Sequence, residues 1–210
     1  MKKLIIVGAG GFGREVAWLV ERINKIKKTY EIIGFIDKNL VSGSKIGNYK
    51  VIGTEDVLNE FDSSTNICIA IGNAKLRKKV IEKIKKIKQF EFPNLIDPSA
   101  IIDESRIGKG NIICANNIFT VDYKIKDFCI INLACTIGHD VILDSYVTVY
   151  PGVNISGNTM INECVEIGTG SCIIQGKVIN KNSIIGAGAS VIRDIDEDIV
   201  AVGVPAKPKK

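Results

Sequence analysis

Reading every sixth residue from Leu95 gives Leu95, Ile101, Ile107, Ile113, Phe119, Ile125, Ile131, Ile137, Leu143, Val149, Ile155, Ile161, Ile167, Ile173, Ile179, Ile185 and Val191, all apolar. With 46% of the chain hydrophobic, an unbroken run of that length arises in one frame about two times in a million, so the repeat is real. A period of six fits neither an α-helix nor a hairpin meander. It fits a β-solenoid in which each hexad supplies one short strand and one corner. The leading residue and the residue four after it point inward. The second of these is short or β-branched, from Ser99, Ser105, Asn111, Asn117, Cys129, Cys135 and Val141 through to Ala189, with Tyr123 and Lys177 as exceptions. Coils then stack at about 4.8 Å, each hydrogen-bonded to the next. The ending "VIRDIDEDIVAVGVPAKPKK" loses the period and is expected to fold back as a cap or arm.

Residues 1–92 follow a different pattern. "KLIIV" (3–7) leads into a glycine-rich turn, "REVAWLVERINKI" (14–26) has helical spacing, and "EIIGFID" (31–37) reads as a strand. A short "KVIG" strand, a helix over "EDVLNEF" (55–61), the strand "NICIAIG" (66–72) and a lysine-rich helix over 78–88 complete the half. This alternation predicts a small parallel sheet with helices on its faces. Gly8, Gly10 and Gly13 form G-x-G-x-x-G between strand and helix, and Asp37 follows the second strand. Taken alone, these residues read either as a dinucleotide site or as a turn that needs glycine for tight packing.

The remaining composition excludes more than it assigns. No apolar run is long enough to span a membrane, and "MKKLIIVGAGG" reads as a strand rather than a signal peptide, which predicts a cytoplasmic protein without membrane attachment. Cys68, Cys114, Cys129, Cys135, Cys164 and Cys172 form no C-x-x-C pair, and with one histidine no metal site is expected. The cysteines read as buried, reduced thiols. The net charge of +5 is concentrated in residues 78–88 and in the tail, with no interleaved aromatics, so nucleic acid is not an expected partner.

The second half resembles the hexapeptide-repeat acyltransferases, whose repeat [LIV]-G-x-x-[STAV]-x folds as a left-handed parallel β-helix with three hexads per coil. The whole chain is similar to one branch of bacterial sugar acetyltransferases with a Rossmann-like domain before the β-helix. That branch includes sialic acid O-acetyltransferase-like proteins and N-acetyltransferases of UDP-linked 4-amino sugars. The matching stretches are "IVGAGGFGREV" (6–16), "GFIDKN" (34–39), "IAIGNAKLRKKV" (69–80), "NLACTIGHDVIL" (132–143), "SGN" (156–158), "IGAGASVI" (185–192) and "GVPAK" (203–207). The resemblance implies an α/β nucleotide-sugar-binding domain over 1–92 and an all-β acetyltransferase domain with a cap over 93–210. It also implies acetyl-CoA as co-substrate and a homotrimer with the active site between subunits.

His139, the one histidine, is the third residue of its hexad and is expected to point outward from a corner. The resemblance makes it the general base that takes a proton from the acceptor, with Asp140 raising its basicity and Asn132 positioning the site. It assigns acetyl-CoA to Thr148, Gly157, Thr169 and Ala187, and leaves Lys207, Lys209 and Lys210 either to the cofactor phosphates or to solvent. The nucleotide of the acceptor falls to Gly10, Gly11, Phe12, Asp37, Lys38, Gly72 and Asn73, with backbone N–H groups at the helix start suited to a diphosphate. The expected activity is transfer of acetyl from acetyl-CoA to the amino group of a UDP-4-amino sugar. O-acetylation of a sialic acid or related hydroxyl, and a non-catalytic nucleotide-binding module, remain open alternatives.

Overall fold

The computed structural model describes residues 1–209; Lys210 lies outside them. Strand β1 (Lys2–Val7) runs into helix α1 (Gly11–Ile26) and returns as β2 (Tyr30–Ile36). A hairpin of β3 (Lys45–Ile46) and β4 (Tyr49–Gly53) follows, then β5 (Asn66–Ile69) and α2 (Ala74–Ile87). The sheet order is β3-β4-β2-β1-β5, parallel throughout except for the β3–β4 pair. The antiparallel edge strand has no counterpart in the sequence reading, and the segment expected as a helix over 55–61 is a 3₁₀ turn, Glu55–Glu60.

From Leu95 the chain winds through three faces of two-residue parallel strands. Face one carries Ile112–Ile113, Ile130–Ile131, Thr148–Val149, Glu166–Ile167 and Ile184–Ile185; face two includes Thr136–Ile137 and Asn154–Ile155; face three includes Ile142–Leu143 and Met160–Ile161. This is a parallel β-helix. The leading residues from Ile113 to Val191 are all buried and form its interior with Cys129, Cys135, Val141, Val147 and Val153. Each fully buried aliphatic side chain contributes about 1.5–3 kcal/mol of transfer free energy, so the repeat is its own core.

The repeat frame fails in the first coil. Leu95 pairs with Ile112 and Ile96 with Ile113, while Ile101 pairs with Ile118, so the inward positions are Ile96 and Ile102. Leu95 instead packs into the α/β half, and Ile101 is 62% exposed. The frame is restored by Ile107, which pairs with Ile125, after a 3₁₀ turn at Glu104–Arg106. Tyr123, an exception to the short-residue rule, reaches this turn: its hydroxyl accepts from Asp103 N and donates to Asp103 O. The first coil is short by a residue, and the large side chain fills the difference. The cysteines are buried except for Cys172, which is exposed because it precedes the inward Ile173 on face two.

Every sixth residue from Gly110 to Gly188 has a positive φ between 54° and 72°. Glycine, Asn and Asp fill most of these corners; Ala134 is a small exception, and Phe128, Tyr146 and Cys164 are larger ones. A bulky residue there costs about 1–2 kcal/mol, and Phe128, Tyr146 and Cys164 share the corner on which the α/β half docks. Phe128 and Tyr146 stack with centroids 5.7 Å apart, and Phe92 meets Phe128 edge-on at 5.2 Å. Arg77, 1% exposed, donates to the carbonyls of Phe128, Tyr146 and Val147 in the β-helix and of Ile71 and Gly72 in its own half, at 2.7–3.2 Å. Burial pulls its guanidinium down to about 10, which leaves it charged at neutral pH. Arg22 and Asp97 make a second tie, with Arg22 Nη2 3.0 Å from Oδ1. The outer side of face one is therefore covered: Leu95, Ile112, Cys114 and Ile130 share a core with Val16, Ala17, Leu19 and Val20 of α1.

Candidate active site

His139 follows Gly138 at the corner between faces two and three, outside the buried Ile137. Its backbone is fixed by the coils on either side: Asn158 N donates to His139 O at 2.8 Å, and Asp140 N to Val121 O at 3.1 Å. Asp140 takes the left-handed corner conformation with φ 59°, and its Oδ2 lies 2.8 Å from His139 Nδ1. A carboxylate only accepts, so Nδ1 carries the hydrogen and Nε2 is left with a free lone pair. The ring lies over Gly157, one coil further on. A β-carbon at 157 would stand 2.7 Å from Cδ2 and nearer still to Nε2 and Cε1. Glycine at 157 is required for the imidazole to sit where it does.

Thr169 and Ala187 occupy the other corner of face two, stacked on successive coils, both exposed. Asn132 begins the same corner on an earlier coil and is 8% exposed, its Oδ1 accepting from Leu133 N. Within one chain, the residues expected together thus fall on two corners: His139, Asp140 and Gly157 on one, Asn132, Thr169 and Ala187 on the other. Thr148 stands apart, on face one. It is 1% exposed and its hydroxyl donates to Gly72 O at 2.7 Å. Lys207 lies in a terminal hairpin and is exposed, as is Lys209.

In the α/β half, the glycines divide into two kinds. At Gly13 a β-carbon would strike the Gly8 carbonyl, and Gly8 has φ 102° and stands against Ala70 O, so these two glycines serve the tight turn. Gly10 faces open space, Gly11 has only the tip of Arg14 near it, and the first turn of α1 has no side-chain cap. Their N–H groups remain available to an anion. Asp37 Oδ2 accepts from Ala9 N at 2.9 Å and Oδ1 from Asn39 N at 2.8 Å, bracing the turn. Beside it opens a cleft of about 420 Å³ that takes in Gly8, Asp37, Lys38, Ile71, Leu76 and Val80, with Glu55 and Lys83 paired at 3.2 Å.

Gly72 and Asn73 join the two halves. Asn73 caps α2 through Leu76 N and donates to Glu166 Oε1, which also accepts from Ala74 N; Tyr150 donates to Glu166 Oε2 at 3.0 Å. Burial and the Glu166 charge push the Tyr150 hydroxyl up to about 12. Arg77, Tyr150 and Glu166 escaped the sequence reading; the only available hint was a charged residue, Glu166, directly before the inward Ile167, where face one elsewhere has apolar residues or Thr148.

Residues 3–84 match the model of the PglD N-terminal domain. The chain is 31% identical to the GDP-perosamine N-acetyltransferase of Escherichia coli O157:H7, over 87% of this chain and 82% of that protein. Among solved structures, the acetyltransferase domain of PglB from Neisseria gonorrhoeae, in complex with acetyl coenzyme A, superposes with a TM-score of 0.90 at 37% identity over 99% of both chains. PerB from Caulobacter crescentus, in complex with CoA and GDP-perosamine, gives a TM-score of 0.89 at 28% identity over 100% of this chain and 98% of that one. A glycine-rich turn, a solenoid of hexads and an outward His–Asp corner therefore coincide with full-length similarity to such enzymes, and the chain belongs to the hexapeptide-repeat sugar acetyltransferases with a PglD-type N-terminal domain.

Proposed function

We propose that this enzyme moves an acetyl group from acetyl-CoA to the amino group of a nucleotide-linked amino sugar, with His139 as general base. The observation that carries the reading is the His139–Asp140 contact of 2.8 Å on an exposed corner, which leaves Nε2 as a hydrogen-bond acceptor. The acceptor amine loses a proton to Nε2 as its nitrogen attacks the thioester carbonyl. As the tetrahedral adduct collapses, the C–S bond breaks and the imidazolium returns the proton to the sulfur of CoA. Asp140 stabilises the imidazolium in between.

The CoA and acetyl coenzyme A bound in the Caulobacter and Neisseria structures support the donor. Open N–H groups at Gly10 and Gly11 support a diphosphate at the start of α1. A UDP-linked 4-amino sugar is the acceptor we put first. A GDP-linked amino sugar is the second reading, favoured by the relatives that act on or bind GDP-perosamine. Asn132 and His139 sit on the two corners that flank face two, and a homotrimer that faces one corner against the other corner of its neighbour would unite them.

The test is mass spectrometry of the products when wild type and His139→Ala are incubated with acetyl-CoA and a panel of UDP- and GDP-linked amino sugars and free sialic acids. Acetylation of a nucleotide-linked amino sugar by the wild type alone is expected. Acetylation of sialic acid alone, or equal activity of the variant, sinks the reading.

A further inference from the structure

A cleft of about 110 Å³ lies where the first turn of α1 faces the β-helix. Phe12 and Glu15 line one side; Ile130, Asn132, Thr148 and Tyr150 line the other. Most of its polar groups are already engaged. The Thr148 hydroxyl donates to Gly72 O, the Tyr150 hydroxyl donates to Glu166, and Asn132 Oδ1 accepts from Leu133 N. Two groups are left over: the Asn132 Nδ2 donor, and the Glu15 carboxylate, which has no ion pair or hydrogen bond among the described residues. Glu15 is an exposed residue, and its carboxylate stands free at the edge of the cleft. Burial first, and then the Glu15 charge, push the thiol of Cys114 up to about 12, and Cys114 lies on face one, one coil before Asn132.

The cleft thus offers one anionic acceptor, one amide donor across from it, and an apolar wall of Phe12 and Ile130. Phe12, on its α1 side, directly follows Gly10 and Gly11 in the chain, and Asn132 lines the opposite side. A nucleoside in the larger cleft beside Gly8 and Asp37, with its diphosphate at the start of α1, would leave the attached sugar to this smaller cleft. We propose that Glu15 reads the sugar of the acceptor: its carboxylate takes a hydrogen bond from an N–H or O–H group of the ring, while Asn132 donates to a ring or hydroxyl oxygen. The inference rests on the nucleotide-sugar reading above and assigns to Glu15 a role in specificity, separate from nucleotide binding and from proton transfer. A sugar lacking a donor on the edge that faces Glu15 leaves the carboxylate desolvated and unpaired, so the cleft selects against it.

The experiment compares wild type, Glu15→Gln and Glu15→Asp on the best nucleotide-linked amino sugar from the panel. Initial rates are followed by mass spectrometry, and the affinity for the free nucleoside diphosphate is measured by calorimetry. Glu15→Gln is expected to raise the acceptor KM about tenfold or more, because a charge-assisted bond is replaced by a neutral one. The acetyl-CoA KM, the nucleoside diphosphate affinity and the Tm stay at wild-type values, and Glu15→Asp falls between. An unchanged acceptor KM overturns the proposal. So does a loss of nucleoside diphosphate affinity by the same factor as the KM, which would place Glu15 at the nucleotide. A wild type that acetylates no nucleotide-linked sugar overturns the functional reading itself, and is told apart by that result.

Discussion

Replacing Gly157 with alanine separates stability from chemistry. The φ of Gly157 is not positive, so alanine fits its backbone, and the substitution removes freedom from the unfolded chain worth about 0.4–1 kcal/mol. Its methyl group would sit 2.7 Å from His139 Cδ2 and closer to Nε2 and Cε1. Contact at van der Waals distance requires the ring to retreat by about 1 Å, a displacement that can cost about a hundredfold in rate when it moves a catalytic group. The imidazole is the free end of a side chain 47% exposed, so it swings outward and gives up Asp140 instead of straining the coil. Stability should stay within about 1 kcal/mol of wild type, while kcat falls about a hundredfold with the acetyl-CoA KM little changed. Thermal melts and steady-state kinetics measure both, and His139→Ala on top of Gly157→Ala should lower kcat little further. A variant whose kcat stays within about threefold of wild type would refute the placement of His139. A rise in the acetyl-CoA KM at constant kcat would show that Gly157 serves the cofactor rather than the imidazole.

Arg77→Ala takes a donor from five carbonyls and leaves those of Ile71, Phe128 and Tyr146 with none, and chemical denaturation should show a loss of at least about 3 kcal/mol. For Asp97, burial works to raise the carboxyl, but bonds from Arg22 and Ser99 together outweigh it and hold the group below its ordinary value. Its contribution is therefore present above the unfolded carboxylate pKa of about 4 and is lost as pH falls through the lower folded value. Melting temperature against pH should fall less steeply on the acid side in Asp97→Asn than in wild type, and parallel curves would contradict the assignment. Ile101→Ala should change stability by no more than about 0.5 kcal/mol, since the side chain is 62% exposed, whereas Ile137→Ala, fully buried, should cost about 2–5 kcal/mol.

The β-helix was legible because a solenoid writes its core into the sequence at a fixed interval, and from Ile113 to Val191 each leading position is inside. The same regularity misled at its start. Leu95 and Ile101 continue the count of six but are apolar for other reasons, one as packing for α1 and one without cover. Period alone cannot register a one-residue slip that leaves an aliphatic residue at both candidate positions, Leu95 or Ile96 and Ile101 or Ile102. The outward placement of His139 followed from its position in the hexad, and its pairing with Asp140 from adjacency. The docking of the halves was not legible. Arg77 looks like one more cation in "KLRKKV", and Phe128 and Tyr146 look like violations of a corner rule until the stacked rings and shared guanidinium are seen. The Arg77 bonds into the β-helix join residues 51 to 70 positions apart, and nothing in local pattern carries that information.

The α/β half holds the solenoid at residues 128, 146–148 and 166, and those points bracket the coil that bears His139. The proposed acceptor pocket and His139 are therefore referred to the same layers of the stack. Whole coils gained or lost beyond Ile185 would lengthen or shorten the column by about 4.8 Å each without moving one relative to the other. Length is a free variable in this architecture, open to change by insertion, while the reacting geometry is held at a fixed storey of the tower.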